Sequence, residues 1–233
     1  VEHAEKAMAT FAAAVSKGER VDLLVRDEPQ AERADALLVA AGAADVRLVL
    51  IETADVWFRD YGPITLVKGE GTARERLSID FTFNAWGGKY EELLADDTIP
   101  VRVQELLDIP LISTDLVLEG GSIDGDGDGT LLTTEQCLLH QNRNPDLSRE
   151  DLTDALGLFL GIEKVLWLGE GVAGDDTDGH VDDIARFVAP GTVVTAVQHL
   201  KSDPDHKPLK ANFRRLQKMR DARGRRLEII ELP

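Results

Sequence analysis

The segment Asp175-Asp176-Thr177-Asp178-Gly179-His180-Val181-Asp182-Asp183 packs five acids and a histidine into nine residues. That density is unusual for a solvated loop. In an extended segment His180 and Asp182 face the same side, so one pocket could use the imidazole for proton transfer and the carboxylate for binding. A second group, Trp57-Phe58-Arg59-Asp60-Tyr61-Gly62-Pro63, sets an aromatic, a base and an acid before a Gly-Pro turn. Asp60 can hold a planar cation bidentately while Trp57 offers it a flat face. The third, Glu119-Gly120-Gly121-Ser122, follows the apolar run Leu116 to Leu118, which places Glu119 at the inner end of a strand, where two glycines allow close backbone approach. Plainer readings stand beside these: Trp57 as core, Arg59 with Asp60 as a local ion pair, and His180 as a histidine on an acidic surface.

Two metal readings also follow from residue type. The acids around His180 could bind a divalent cation through oxygen and imidazole. Asp124-Gly125-Asp126-Gly127-Asp128-Gly129 with Glu135 matches the spacing of a calcium loop, but the flanks read as strands where such a loop needs helices, so a hairpin is expected there. Cys137, the one thiol, is flanked by Leu138 and Leu139 with no base or cation close in sequence, and is expected to be a buried structural cysteine.

The composition bounds the function. With 43% hydrophobic and 30% charged residues and no apolar run near eighteen residues, a transmembrane helix is excluded. The opening VEHAEKAMATF lacks the basic and continuous apolar regions of a secretory signal, and a single cysteine forms no internal disulfide, so the cytoplasm is the expected compartment. A net charge of −17 disfavours nucleic acid and anionic membrane partners and favours small cationic ligands, although acidity also serves solubility alone.

The elements that must position these residues alternate. Ala4, Met8, Phe11, Ala12 and Val15 predict an apolar helical stripe within residues 1 to 17, capped by a left-handed Gly18. A strand from Val21, a helix near Gln30 to Ala41 and a strand from Val46 follow. Strand pairs are expected near 63–68 and 77–83, then a helix near 100–108 and several short strands to Thr134. Ser148 with Asp151 reads as a capping box opening a helix that ends at Gly161; strand 164–168, strands 185–188 and 193–197, a helix through Leu209 to Met219 and a final strand complete the order. A faint repeat runs through this. Gly-Thr turns at Gly71, Gly129 and Gly191 each follow an acid, Asp60, Glu119 and Asp182, by nine to eleven positions. If each unit is a blade around an axis, the acids converge on one centre. No linker or second domain is evident, so 1–233 reads as one domain.

WFRDYGP, FNAWGGKY, LEGGSI, GTLLTTEQCLL, NRNPDLS and DDTDGHVDD, spread over residues 57 to 191, together resemble the agmatine deiminase and bacterial peptidylarginine deiminase family. The resemblance implies an α/β fold of the pentein kind, an α/β propeller of pseudo-fivefold ββαβ repeats, incomplete in this chain. It implies that Asp60 and Asp182 clamp a guanidinium, that Glu119 assists, that His180 is the general acid/base, and that Trp57, Arg59, Trp86 and Gly120 line the substrate site. The reaction implied is hydrolysis of a guanidinium to a ureido group and ammonia through an amidino-cysteine intermediate, without metal or organic cofactor. The family's cysteine lies in a C-terminal GGGNxHC segment that is not found here, and an opening strand is not found either, so the chain as it stands is expected to be inactive and to be a fragment. Agmatine deiminases more often carry His at the position of Asp124 and Asn at those of Asp178 and Asp183, which leans toward the broader peptidylarginine deiminase-like branch. Agmatine, with a place in putrescine biosynthesis, is the first substrate expected, and peptidyl or free arginine the alternative. A homo-oligomer is compatible with all of this. Readings of another class are a calcium-binding module and a non-catalytic guanidinium-binding protein.

Overall fold

Short runs of β-branched and leucine residues, broken by glycine turns, set the strands, and helices cross between them. The computed structural model describes residues 2–69 and 71–233. Two compact units result, Val1–Val56 and Trp57–Pro233. The first holds α1 (Glu2–Val15), β1 (Val21–Val25), α2 (Glu28–Ala41) and β2 (Val46–Leu50). β1 and β2 pair in parallel, Val21 opposite Val46, with α2 as the crossover. Asp27 caps α2 by accepting from Gln30 N, and Gly42, at φ 74°, ends it.

The face that α1 buries differs from the expected stripe. Ala9, Ala12 and Ala13 are buried, while Met8 is 54% and Phe11 65% exposed. Small side chains let α1 approach Leu38 and the β1–β2 residues closely, and that contact outweighs burying the two larger residues. Gly18 is not left-handed either; α1 ends with Gly18 N and Glu19 N both donating to the Val15 carbonyl.

The second unit opens with α3 (Phe58–Tyr61) and then repeats one motif three times. β3 (Ile64–Lys68) and β4 (Glu75–Thr82) are antiparallel; after α4 (Ala85–Gly88), a tight turn, and α5 (Ile99–Leu107), β5 (Leu111–Val117) joins β4 in parallel. β6 (Ile123–Gly125) and β7 (Thr130–Thr134) form the next hairpin; α6 (Glu135–Leu138) and α7 (Arg149–Leu160) lead to β8 (Lys164–Leu168), parallel to β7. β9 (Ala185–Ala189), β10 (Thr192–Ala196), α8 (His206–Leu216) and β11 (Glu228–Leu232) repeat the pattern. The glycines that mark the hairpins are all left-handed, with φ of 56° at Gly71, 89° at Gly129 and 77° at Gly191, a conformation that lacks a steric penalty only for glycine. The repeat read from Gly-Thr spacing is therefore a repeat of ββαβ units.

The middle sheet separates two cores. Leu131 and Trp167 face a cluster with Ile79, Leu116, Leu152 and Leu156, while Leu132, Leu166 and Leu168 face Val181, Val193, Leu209 and Leu216. Alternation along β7 and β8 produces this division. Ser148 and Asp151 form the capping box of α7, and Gly161 closes it at φ 68°. No helix among the described residues is long and apolar enough to cross a membrane.

Leu132→Ala, at a side chain of 0% exposure, should lower unfolding free energy by about 2–5 kcal/mol, and Ser148→Ala by about 1 kcal/mol. Urea titrations of both variants check this, and similar losses for the two would contradict the placement of Leu132 between the sheet and its core.

Candidate active site

Each ββαβ unit of the second part contributes an acid just before its first strand. Asp60 lies in α3 ahead of β3, Glu119 precedes a one-turn 3-10 helix ahead of β6, and Asp182 lies in another such turn ahead of β9. They meet around His180. Its Nδ1 lies 3.8 Å from Asp60 Oδ1 and 3.9 Å from Asp182 Oδ1, and its Nε2 lies 3.9 Å from Glu119 Oε2. Asp60, Glu119 and His180 are buried, whereas the Asp182 side chain is 27% exposed and marks the open side. His180 and Asp182 share the pocket for a reason other than strand alternation: residues 181–183 turn as a 3-10 helix and fold Asp182 back toward the ring.

Gly120 and Gly121 permit the convergence. A Cβ on Gly120 would collide with the Arg59 carbonyl, and one on Gly121 would lie 2.6 Å from His180 Nδ1 and 2.7 Å from Asp60 Oδ1. Gly121 N instead donates to Asp60 Oδ1 at 2.9 Å. The other Asp60 oxygen accepts from Trp86 Nε1 at 3.1 Å. Trp86 reaches it from α4, whose residues Ala85 (φ 55°), Trp86 (54°), Gly87 (83°) and Gly88 (75°) are left-handed. Such a conformation costs about 1–3 kcal/mol at each non-glycine residue. Asn84 fixes the turn by accepting from Gly87 N and donating to the Asn142 carbonyl, and Trp86 stacks edge-on between Phe83 and Tyr90.

Arg143, within the NRNP stretch, is the largest addition to the residues read from sequence. Its side chain is fully buried. Nε donates to Glu119 Oε1 at 2.8 Å, Nη1 to Asp178 Oδ2 at 2.7 Å, and Nη2 to the Thr177 carbonyl at 2.9 Å. Lys89 adds a bond to Asp178 Oδ1, and the Tyr90 hydroxyl donates to Asp176 Oδ2. The acids of DDTDGHVDD are thus divided: Asp176 and Asp178 secure the loop, and Asp182 faces the centre.

Cys137 is buried as expected, yet it does have a base and a cation nearby. Its Sγ, a Glu119 oxygen and a His180 nitrogen all lie within 4.8 Å of one another, and Arg143 is close enough to act on it electrostatically. The leucines around it in sequence gave no sign of this, because the partners come from residues 119 and 180.

The charges shape one another. Burial alone would discharge His180, but the adjoining Cys137 and Glu119 and the Asp60 charge overcome it and push the imidazole up to about 11. Burial raises Asp60 and Asp182 above the usual carboxylate range, with His180 opposing the shift in both. Asp178 would also be raised by burial, but Lys89, Asn142 and Arg143 bring it down to about 2. Burial raises the Cys137 thiol. The site is a set of carboxylates whose charge is offset in part, from within, by an imidazolium and a guanidinium.

Two further expected residues, Trp57 and Arg59, have other surroundings. Trp57 is 57% exposed, and the Arg59 guanidinium faces the Ile123 carbonyl at 3.5 Å. The acids of the calcium-like loop have separate employment: Asp124 accepts from Arg186 and Phe187 N, Asp126 from Asp128 N and Thr130 N, Asp128 pairs with Arg223 and Arg225, and Glu135 pairs with Arg149 and Arg215. The segment is the β6–β7 hairpin.

Three ββαβ units that direct their entrance carboxylates to one buried imidazole define an α/β protein of the pentein class. The model of the Porphyromonas-type peptidyl-arginine deiminase family matches residues 1–233, and the chain belongs to that family. It is 41% identical to the agmatine deiminase of Ectopseudomonas mendocina, over 99% of this chain and 62% of that one. It is 40% identical to the agmatine deiminase of Medicago truncatula, over 99% and 63%. Among solved structures, Enterococcus faecalis agmatine deiminase superposes with a TM-score of 0.88 at 37% identity, covering 97% of this chain and 61% of that one. A cysteine-to-serine variant of C. jejuni agmatine deiminase with substrate bound gives 0.86 at 30% identity, covering 100% and 65%. The chain thus spans less than two thirds of the length of these relatives.

Arg143→Met should destabilise the fold by about 3–5 kcal/mol, since it strands a buried Glu119, and adding Glu119→Gln should recover part of the loss. Denaturant titration of the three variants tests the pairing; purely additive losses would refute it. Acid titration tests Asp178. Its carboxyl lies below the unfolded 3.8, so its contribution is complete above that value and is lost as pH falls toward about 2. Asp178→Asn should therefore flatten the pH dependence of stability between those limits.

Proposed function

We propose that this site binds a guanidinium group and serves its hydrolysis to a ureido group and ammonia, with agmatine as the first substrate. The observation that supports the reading most is the placement of Asp60 and Asp182 on one side of His180, the first oriented by Gly121 N and Trp86 Nε1. Carboxylates held this way accept the N–H groups of a planar cation and fix its carbon. A second cation entering beside the His180 imidazolium repels its proton, so substrate binding would convert the ring into the neutral form that can accept and return a proton.

The nucleophile in this reading comes from outside residues 1–233. Cys137 does not suit the part, being fully buried with its thiol raised. An incoming thiolate attacks the guanidinium carbon and forms a C–S bond; the C–N bond then breaks and ammonia leaves with a proton relayed by His180. Water, giving its proton to His180, attacks the same carbon, and cleavage of the C–S bond releases the ureido product and restores the thiolate. Glu119 and Arg143 hold the inner wall of the site while this proceeds. The names of the relatives favour agmatine, and the family name keeps peptidyl-arginine as the alternative substrate.

The test is a colorimetric ureido assay on the whole gene product with agmatine, free arginine and an arginine peptide. Product from agmatine, reduced at least a hundredfold or so in Asp60→Asn and His180→Asn, is the expected result. A folded whole protein that turns over none of the three would sink the reading. Affinity should also depend on pH in a definite sense. Asp60 and Asp182 must be ionised and both are raised, so agmatine binding should weaken as pH falls into and below the range just above the usual carboxylate value. Calorimetry near neutral pH in two buffers of different ionisation enthalpy should show net proton release, the signature of His180 discharging.

A further inference from the structure

Behind His180, on the side of the ring away from Asp60 and Asp182, three buried groups converge without satisfying one another. Among the described residues Glu119 Oε2 and His180 Nε2 have no hydrogen-bond partner, and they lie 3.9 Å apart. Cys137 Sγ is the third group, within 4.8 Å of a Glu119 carboxylate oxygen and a His180 ring nitrogen, and its own hydrogen bond is a long one, 3.8 Å to the Thr177 carbonyl. Glu119 and Cys137 are 0% exposed and His180 3%. Orphaned polar atoms at such depth are uncommon because each forfeits its hydration without replacement. Here the two residues that carry them lie beside one buried thiol.

We propose that Glu119, Cys137 and His180 form a binding site for a borderline-soft divalent transition-metal ion, Zn2+ first. A sulfur, an imidazole nitrogen and one carboxylate oxygen are a zinc donor set, and they disfavour Ca2+ and Mg2+, which require oxygen. At zinc bond lengths of about 2.0–2.3 Å a tetrahedral site has ligand edges of about 3.3–3.6 Å, so the 3.9 Å between Nε2 and Oε2 needs only a small contraction. Arg143 assists by taking Glu119 Oε1, which leaves Oε2 free and fixes its direction. The fourth position is left to water. Charge balances: the ion displaces the thiol proton and the imidazolium proton, so two protons are released and a thiolate and a carboxylate neutralise the dication.

The consequence for turnover rests on the function proposed above. An ion on Nε2 would hold the neutral ring as its Nδ1–H tautomer, so the nitrogen that faces Asp60 and Asp182 could no longer take up a proton and the metal would inhibit; the binding itself does not depend on that function. Co2+ titration of the 233-residue chain in thiol-free buffer tests it, because Cys137 is its sole cysteine and a thiolate-to-cobalt charge-transfer band can come from nowhere else in the chain. The expected result is such a band saturating at one equivalent, bleached by Zn2+, absent in Cys137→Ser, with Glu119→Gln binding more than about tenfold more weakly. Should Cys137→Ser fail to fold by circular dichroism, the wild-type band and its zinc competition decide. No band from the folded chain, or a band of unchanged strength and affinity in both Glu119→Gln and His180→Asn, would overturn the proposal.

Discussion

The buried pair of Arg143 and Glu119 is the interaction on which the centre depends. Two fully buried ions lie 2.8 Å apart, and removing either leaves a charge that the interior cannot solvate. The remaining donors of the guanidinium then reach Asp178 and the Thr177 carbonyl, which anchors the loop that carries His180 and Asp182. One arginine therefore joins the entrance of the second ββαβ unit to that of the third. The planar fork makes this possible; a lysine in its place could not bond three such partners with fixed geometry.

A second constraint comes from the left-handed turn at Ala85 and Trp86. Its strain is offset by bonds from Asn84 and by the ring contacts of Phe83 and Tyr90, and the return is a Trp86 indole that fixes one oxygen of Asp60. Asp60 is then oriented at both oxygens, by Trp86 and by Gly121 N, so it meets a ligand already arranged. Rigidity of this kind is what a site needs if the cation it holds is to be attacked at one carbon.

The parts legible in the sequence were those that rest on local rules. Capping residues located α7, glycine turns located the hairpins, and their spacing carried the repeat that places Asp60, Glu119 and Asp182 together. What escaped depends on contacts distant along the chain. Arg143 looks like a surface arginine in a polar loop, since nothing nearby says that its partners are residues 119 and 178. Cys137 looked isolated for the same reason. The stripe on α1 failed differently: hydrophobicity ranks Met8 and Phe11 above the alanines, but close packing selected Ala9, Ala12 and Ala13. Adjacency in sequence groups Trp57 and Arg59 with Asp60, yet Asp60 and Tyr61 of α3 are buried while Trp57, just before the helix, is exposed.

The location of the acids at the entrance of each ββαβ unit concentrates negative charge where the units meet. Like charges held this close oppose the folded state, and His180 and Arg143, set among them, offset part of that repulsion. The repeat thus supplies the attraction for a cation, and two residues that are not part of its pattern supply the tolerance for it.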